Sequence, residues 1–309
     1  MTPAPFHAAL ADGPPGAVAV WVQSGAARIR LAWWKAGSKG TVLLLPGRTE
    51  CIEKYGRAAA DLTARGYSVI TIDWRGQGLA DRSLPDRLMG HVGDFAEYQQ
   101  DLDALVAEAR RADLPEPFHM IAHSMGGCIG LRGLMRGVPV RSAVFSAPMF
   151  GISMAAWLRP VAVLVGALSA PLGLGARYAP TTGPQSYLQQ VPFLGNVLTS
   201  DREMWDYMLG QVREVPELAL GGPSIAWLHA AMQECAALSV QPAPDLPAIC
   251  ALGTAEKVVD VAPIHLRMAG WAKGQLDLYP GAEHEIMMEG PAVRARFFDR
   301  AVALFDANR

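Results

Sequence analysis

Residues 118–127 read Phe-His-Met-Ile-Ala-His-Ser-Met-Gly-Gly. The apolar run Phe118 to Ala122 is short and bounded, as a buried strand should be, and a helical stretch follows at once from about Met125 to Arg136. A serine between a strand and a helix, with small residues two before and two after it, has the spacing of a nucleophile elbow. The reason is steric. The serine sits on a strained turn, so Ala122 and Gly126 must stay small where backbones approach. The amide groups that open the helix favour negative charge beside Ser124.

The flanking sequence reads as alternating strands and helices. Arg28 to Trp34 is expected to be an edge strand. Val42 to Leu45 and Ser68 to Ile72 are short apolar runs of the kind buried on both faces of a parallel sheet. Tyr55 to Arg65 is helical and stops at Gly66. Apolar residues recur at helical spacing over 95–111, and Asp94 with Glu97 offers a capping box. Ser142 to Ser146, Ala248 to Leu252 and Gln275 to Tyr279 are further strands, and 292–307 is a closing amphipathic helix. Residues 148–236 differ, being rich in Met, Leu, Trp, Pro and Gly, with helical patches and no strand runs. The expected architecture is α/β, a doubly wound, mostly parallel sheet with an inserted helical cap. Its parts are a first core segment, 1–147, the cap, 148–236, and a second core segment, 237–309.

A serine nucleophile needs a base, and the base needs an orienting acid. Of seven histidines, His284 stands in the loop after the last strand, where such sheets place reactive groups. His7 is terminal, and His123 is expected to turn into the scaffold. His91, His119, His229 and His265 have no context that singles them out. Two acids follow strand 248–252. Glu256 is the first choice and Asp260 the second, since either position can reach an imidazole. An oxyanion hole needs two backbone N–H groups, expected from Met125 and Arg48. Gly47 lets the Arg48 backbone come close, and the Arg48 and Glu50 side chains are expected to shape that turn by pairing.

Other chemistry is excluded. Asp73-Trp-Arg-Gly-Gln-Gly78 follows a strand, but Asp81 stands where a dinucleotide loop needs its third glycine. No HExxH or other ligand cluster stands out, so neither metal nor cofactor is expected. Lys and Arg total 27 against 29 Asp and Glu, a net charge of −2, which argues against a nucleic-acid partner. The 309-residue chain is 51% hydrophobic and 18% charged, which excludes global disorder. Its four cysteines are scattered, as reduced thiols in a reducing compartment would be. No basic, apolar leader opens the sequence, so a cytoplasmic location is expected. The most apolar window, Val161 to Ala176, has 16 uncharged residues broken by Pro171 and glycines. A spanning helix needs about 20, so a buried or lid helix, or one touching the surface of the inner membrane, is expected instead.

Together these residues resemble the α/β-hydrolase superfamily, and more narrowly the monoglyceride lipase and bacterial lysophospholipase group, which is serine aminopeptidase S33-like. Pro46 to Arg82 is similar to that group's oxyanion loop, helix, strand and Arg-Gly-x-Gly turn. Pro46-Gly47-Arg48 in place of a His-Gly pair, together with Gly90-His91-Val92, looks most like the bacterial inner-membrane lysophospholipase branch. Leu198 to Met208 and Val215 to Trp227 resemble that branch's cap. Ala122 departs from the usual Gly, and Glu256 stands where the group usually has Asp. The order Ser124, Glu256, His284 is that of α/β-hydrolases. The resemblance implies a serine ester hydrolase of monoacyl lipids, either lysophospholipid or monoacylglycerol, acting through an acyl-enzyme. Acyl transfer or amide cleavage by the same triad, and a non-catalytic binding protein on this fold, are the alternatives. Oligomeric state is not legible.

Overall fold

The short runs Val42–Leu45, Ser68–Ile72 and Phe118–Ala122 become central strands because helices cover both of their faces. The computed structural model describes residues 2–154, 157–169 and 171–309. Among these, nine strands form one sheet. They are β1 (Thr2–Pro3), β2 (Val18–Ser24), β3 (Ala27–Trp34), β4 (Thr41–Leu45), β5 (Ser68–Asp73), β6 (Phe118–His123), β7 (Ala143–Ser146), β8 (Ala248–Gly253) and β9 (Gly274–Tyr279). Their order is β1-β2-β3-β5-β4-β6-β7-β8-β9. The pairs β1–β2, β2–β3 and β3–β5 are antiparallel, and every pair from β5 to β9 is parallel.

Side chains alternate between two cores, as the pleat requires. Leu43, Leu45, Met120 and Ala122 face helices Ala96–Arg111, Met125–Met135 and Ile225–Ser239. Val42, Leu44 and Ile121 face Gly56–Ala64 and Pro291–Asp306. The register sets Leu45 beside Ala122 and Ala122 beside Phe145, so the C-terminal ends of β4, β6 and β7 share one rim. The helix expected over 95–111 runs from Ala96 to Arg111, and the Asp94 N–H donates to Glu97 Oε1 at its start (3.3 Å).

The edge-strand expectation fails. Arg28–Trp34 is not an edge strand, because β2 pairs with it from Ala27 to Trp33. A two-residue turn makes this possible, with Gly25 at φ 56°. The alternation of Val18, Val20 and Val22 ahead of that glycine carries the signal for the extra strand.

No strand of the sheet lies between Ser146 and Ala248 among the described residues. That stretch carries helices Leu158–Ser169, Tyr187–Gln190, Arg202–Glu214 and Ile225–Ser239. The last continues three residues past the expected cap boundary at 236, and Trp227, Ala231, Cys235 and Leu238 join the core of the sheet. Within the apolar window, Val161 and Leu164 are 51% and 60% exposed rather than buried. No helix among the described residues is long and apolar enough to cross a membrane.

Arg30 in β3 ties the sheet to the loop that leads away from β4. Its guanidinium meets Asp73 (2.7 Å) and Glu53 (2.6 Å), and all three side chains are inaccessible to solvent. Asp73 also accepts the Ile52 N–H (2.9 Å). Replacing Arg30 strands two carboxylates in the interior, and breaking such a group costs about 3–5 kcal/mol. Arg30→Met is expected to lose that much unfolding free energy in urea at neutral pH, with the slope unchanged. A loss below about 1 kcal/mol would mean that the clamp is not structural.

Candidate active site

Ser124 stands at the end of β6 with φ 50° and ψ −118°, a left-handed backbone that a non-glycine residue adopts only under constraint. Hydrogen bonds supply the constraint. The Ser124 N–H donates to Ser146 O (3.0 Å), and its carbonyl accepts from Gly127 N–H (2.9 Å) and Met149 N–H (2.8 Å). A Cβ on Gly126 would lie 2.3 Å from Leu45 O, so only glycine fits there. Ala122 fits where a glycine is usual, because its methyl enters the space left by Gly130, whose own Cβ would come within 3.2 Å of it.

His284 follows β9 and a turn at Gly281, φ 73°, whose N–H donates to Thr254 Oγ1 (2.8 Å). Its Nε2 lies 3.0 Å from Ser124 Oγ and its Nδ1 lies 2.7 Å from Glu256 Oε2. The carboxylate assigns the proton to Nδ1, which leaves Nε2 to accept from the serine hydroxyl. The second Glu256 oxygen accepts the N–H groups of Val258 (2.6 Å) and Val259 (3.0 Å). Burial alone would raise the pKa of Glu256. The bond and charge of His284, with these two amides, hold it below the usual carboxylate range. Asp260 is placed otherwise. It caps helix Val261–Ala269, accepting from Ala262 N–H (3.1 Å), so the structure brings Glu256 and not Asp260 to the imidazole.

The loop after β4 packs against the serine. A Cβ on Gly47 would lie 3.0 Å from Ser124 Cβ. Thr49, at φ 66°, turns the chain back. Among the described residues no acceptor takes the N–H of Arg48 or Met125. Two groups from the turn after β5 brace this loop. Trp74 Nε1 donates to Pro46 O (2.9 Å) and Gln77 Nε2 to Gly47 O (2.8 Å). The Asp73–Gly78 motif, which failed as a nucleotide loop, is a buttress. Arg48 and Glu50 do not pair as expected. Arg48 Nη2 donates to Gly221 O (2.5 Å), while Glu50 accepts from Lys54 Nζ (2.6 Å), Tyr55 Oη (2.5 Å) and the Gly47 N–H.

Behind His284 lies a cluster that the sequence analysis did not single out. Lys54 Nζ is 2.6 Å from both Glu50 and Glu285, and His123 Nε2 is 3.1 Å from Glu285. His123 turns into the scaffold as expected, with its Nδ1 3.0 Å from Ser146 O. Burial would lower the pKa of His123, but the two glutamates raise it. Burial would raise that of Glu285, but His123 and Lys54 hold it well below the usual range. Ligand atoms of Glu50, His123 and Glu285 come within 4.8 Å of one another, a spacing a metal could use. The Lys54 ammonium already supplies the cation between the glutamates. The adjacency of Glu285 to His284, and the i,i+4 spacing of Glu50 and Lys54, were the signals available in the sequence.

These groups open onto a cavity of about 520 Å³. Ser124, His284, Arg48 and Met125 line its floor. Met149, Ile152, Leu198, Met208, Val258 and Val259 supply apolar wall, and Thr181 to Gly183, Gln185 and Ser186 supply polar wall.

Residues 36–291 match the family described as Hydrolase_4, serine aminopeptidase S33. The chain belongs to this family. Within it, the chain is 31% identical over 276 residues to lysophospholipase L2 of Escherichia coli K12, covering 86% of this chain and 80% of that protein. It is 28% identical over 278 residues to a probable lysophospholipase L2 of Haemophilus influenzae, covering 88% and 87%. Among solved structures it superposes on a soluble variant of the Saccharomyces cerevisiae monoglyceride lipase with TM-score 0.73 at 22% identity, covering 94% of each chain. A monoacylglycerol lipase from Paleococcus ferrophilus gives 0.71 at 17% identity, covering 91% of this chain and 99% of the other. At these identities the structural likeness is one of fold, the α/β-hydrolase fold.

The buried cluster makes stability depend on pH with a defined sign. The pKa of Glu285 is depressed in the folded state, so its contribution is present above the unfolded carboxylate pKa, about 4.3, and fades as pH falls through the lower folded value. Glu285→Gln is expected to destabilise by about 3–5 kcal/mol near neutral pH. The gap from wild type should narrow only below about pH 4. Urea midpoints measured from pH 3 to 8 check this, and a gap that does not vary with pH would refute it.

Proposed function

We propose that this chain hydrolyses the carboxylic ester of monoacyl lipids, lysophospholipids or monoacylglycerols, with Ser124 as nucleophile. The observation that carries this reading is the unbroken line from Ser124 Oγ through His284 to Glu256 on the floor of a largely apolar cavity. Ser124 Oγ attacks the acyl carbonyl carbon while His284 Nε2 takes its proton. The carbonyl oxygen becomes an oxyanion facing the Arg48 and Met125 N–H groups. Glu256 stabilises the imidazolium without taking its proton. The imidazolium then protonates the leaving glycerol oxygen as the ester C–O bond breaks, which leaves an acyl-serine. Water, deprotonated by His284, attacks that acyl group, and the fatty acid leaves as Ser124 regains its proton. The relatives named as lysophospholipases and monoglyceride lipases support this substrate class.

The family's aminopeptidase description raises amide cleavage as a second reading. An aminopeptidase site needs a carboxylate for the substrate ammonium. The glutamates lining this cavity, Glu50 and Glu285, are already engaged by Lys54 and His123. The chemistry of the wall favours the ester.

We assign 148–236 the role of a cap. Its residues Met149, Ile152, Leu198, Met208 and Trp227 line the cavity, and we assign them to the acyl chain. Over residues 157–172 it exposes Trp157, Val161, Leu164, Leu168 and Leu172, and clustered exposed apolar residues mark interaction surfaces. A lipid surface is the occupant that suits an enzyme whose substrate resides in one. The four cysteines are free and buried, in keeping with a reducing cytoplasmic setting beside the inner membrane.

Ser124→Ala is expected to abolish turnover of a short ester, a 12-carbon monoacylglycerol and a lysophospholipid alike, by about 10⁴-fold or more. Glu256→Gln should cost about 10³–10⁴-fold through loss of the correct tautomer. Asp260→Asn should cost far less, because the carboxylate at His284 Nδ1 is that of Glu256. Full activity in Ser124→Ala would end the proposal, and equal losses in the two acid variants would undo the choice of acid. Leu164→Glu with Leu168→Glu should lower the fraction bound to phosphatidylethanolamine–phosphatidylglycerol vesicles in a flotation assay while short-ester turnover persists. Unchanged flotation would rule out this patch as the contact.

A further inference from the structure

Several arginines have guanidinium groups drawn into the protein; Arg30 and Arg75 are matched by carboxylates, Arg82 by carbonyls alone, and Arg87 and Arg48 each keep a buried Nε without an acceptor. Arg30 meets Asp73 and Glu53, and Arg75 meets Asp101 and Glu97. Arg82 donates to three backbone carbonyls, those of Gly78, Ala80 and Arg87. Arg48 differs. Nη2 donates to Gly221 O, and the guanidinium lies 5.3 Å from the centroid of the Trp227 ring. Its Nε is shielded from solvent and has no acceptor, and no carboxylate among the described residues lies at ion-pair distance. Burial pushes its pKa down to about 10, so it is still a cation at neutral pH. A Cβ at Gly90 would lie 2.9 Å from Nη2, so the guanidinium packs directly against this glycine.

The location of this charge matters. Arg48 lines the cavity, and its main-chain N–H faces the reacting carbonyl in the mechanism above. Gly221, its one acceptor, continues into Gly222, whose N–H donates to Gly183 O (2.8 Å), so Arg48 is joined to the polar wall at Thr182 and Gly183. In an arginine, the main-chain nitrogen and the guanidinium carbon are separated by as many covalent bonds as the acyl carbonyl carbon and the phosphorus of a lysophospholipid. A 1-acyl lysophospholipid thus matches this residue in covalent length between the two groups. Guanidinium forks match phosphate oxygens in a bidentate fashion.

We propose that the Arg48 side chain is a phosphodiester-recognition group that selects lysophospholipids over neutral monoacylglycerols. This rests on the ester-hydrolase reading for its reaction, and on the unmatched guanidinium for its selectivity. The anion pairs a guanidinium that no carboxylate among the described residues pairs, whereas a neutral glycerol headgroup leaves that charge uncompensated. Both substrates share the oxyanion hole and the acyl wall, so only the headgroup distinguishes them.

The experiment compares wild type, Arg48→Met and Arg48→Lys on lysophosphatidylethanolamine and monoacylglycerol with the same acyl chain. Arg48→Met is expected to lower kcat/KM for the lysophospholipid at least tenfold more than for the monoacylglycerol, chiefly through KM. Arg48→Lys should recover part of the ratio, since it restores the charge without the fork. A second arm uses Ser124→Ala, with and without Arg48→Met, and titrates 1-O-dodecyl-glycero-3-phosphocholine and 1-O-dodecyl glycerol below their micelle concentrations. The phosphodiester amphiphile should lose at least tenfold in affinity and the neutral ether much less. Free phosphocholine as competitor separates recognition of the headgroup alone from recognition of the whole lipid. Equal losses for both lipids in both arms would overturn the proposal and leave Arg48 a packing residue. A differential in binding with no Ser124-dependent hydrolysis would keep the phosphate site and remove the hydrolase reading instead.

Discussion

Everything at the sheet's rim depends on Ser124 being held in a left-handed backbone by three hydrogen bonds, to Ser146, Gly127 and Met149. That conformation lifts the hydroxyl clear of β6 and starts the next helix immediately, so the Met125 N–H lies beside the oxygen it would serve. The strain is affordable because close packing leaves no alternative. Gly126 lies on the carbonyls of Leu45 and Pro46, and the methyl of Ala122 fills the space beside Gly130. Larger residues at 122, 126 or 130 would force β4 and β6 apart, and the loop after β4 would move with them.

A second constraint couples that loop to the histidine loop. Glu50 holds the Gly47 N–H from one side, Glu285 follows His284 on the other, and the Lys54 ammonium bonds both carboxylates. His123 closes the ring from the end of β6. Three segments far apart in sequence are thus joined through one buried charge cluster directly behind the imidazole. Buried ion pairs are weak sources of net stability, but they penalise any geometry that leaves a member unpaired. Here that penalty falls on movement of the loop after β4 relative to His284. Trp74 and Gln77 add neutral bonds to the same loop.

Much of the fold was legible because its signals are local. Apolar runs of four to six residues ending in turn residues marked β4, β5, β6, β7 and β8. The strand–serine–helix junction and the histidine loop could be read from spacing alone. The sheet's antiparallel side was misread, since an amphipathic strand such as Arg28–Trp34 looks the same whether or not another strand pairs beyond it. The pairing assumed for Arg48 and Glu50 also failed. Two residues of opposite charge two apart on a loop have no fixed relation until their surroundings are known, and here Lys54 and Gly221 claimed one each. For the apolar window at 161–176 a buried helix, a lid and a segment touching a membrane surface were all open readings, and the exposure of Val161 and Leu164 argues against simple burial, because hydrophobicity by itself does not say which surface will cover it.

The sequence by itself determined the layered α/β architecture, the identity of the serine and the loop that carries the histidine. Each of these follows from hydrophobic period, glycine placement and order along the chain, all of which act over a few residues. Only the tertiary structure decided that Glu256 meets His284 while Asp260 caps a helix, that Lys54 joins two glutamates behind the imidazole, and that Arg48 keeps an unmatched guanidinium at the cavity wall. Those outcomes depend on distances between segments dozens to hundreds of residues apart. A carboxylate's partner is set by whichever donor the packed fold brings within about 3 Å, and nothing in the spacing of residues along a chain encodes that distance.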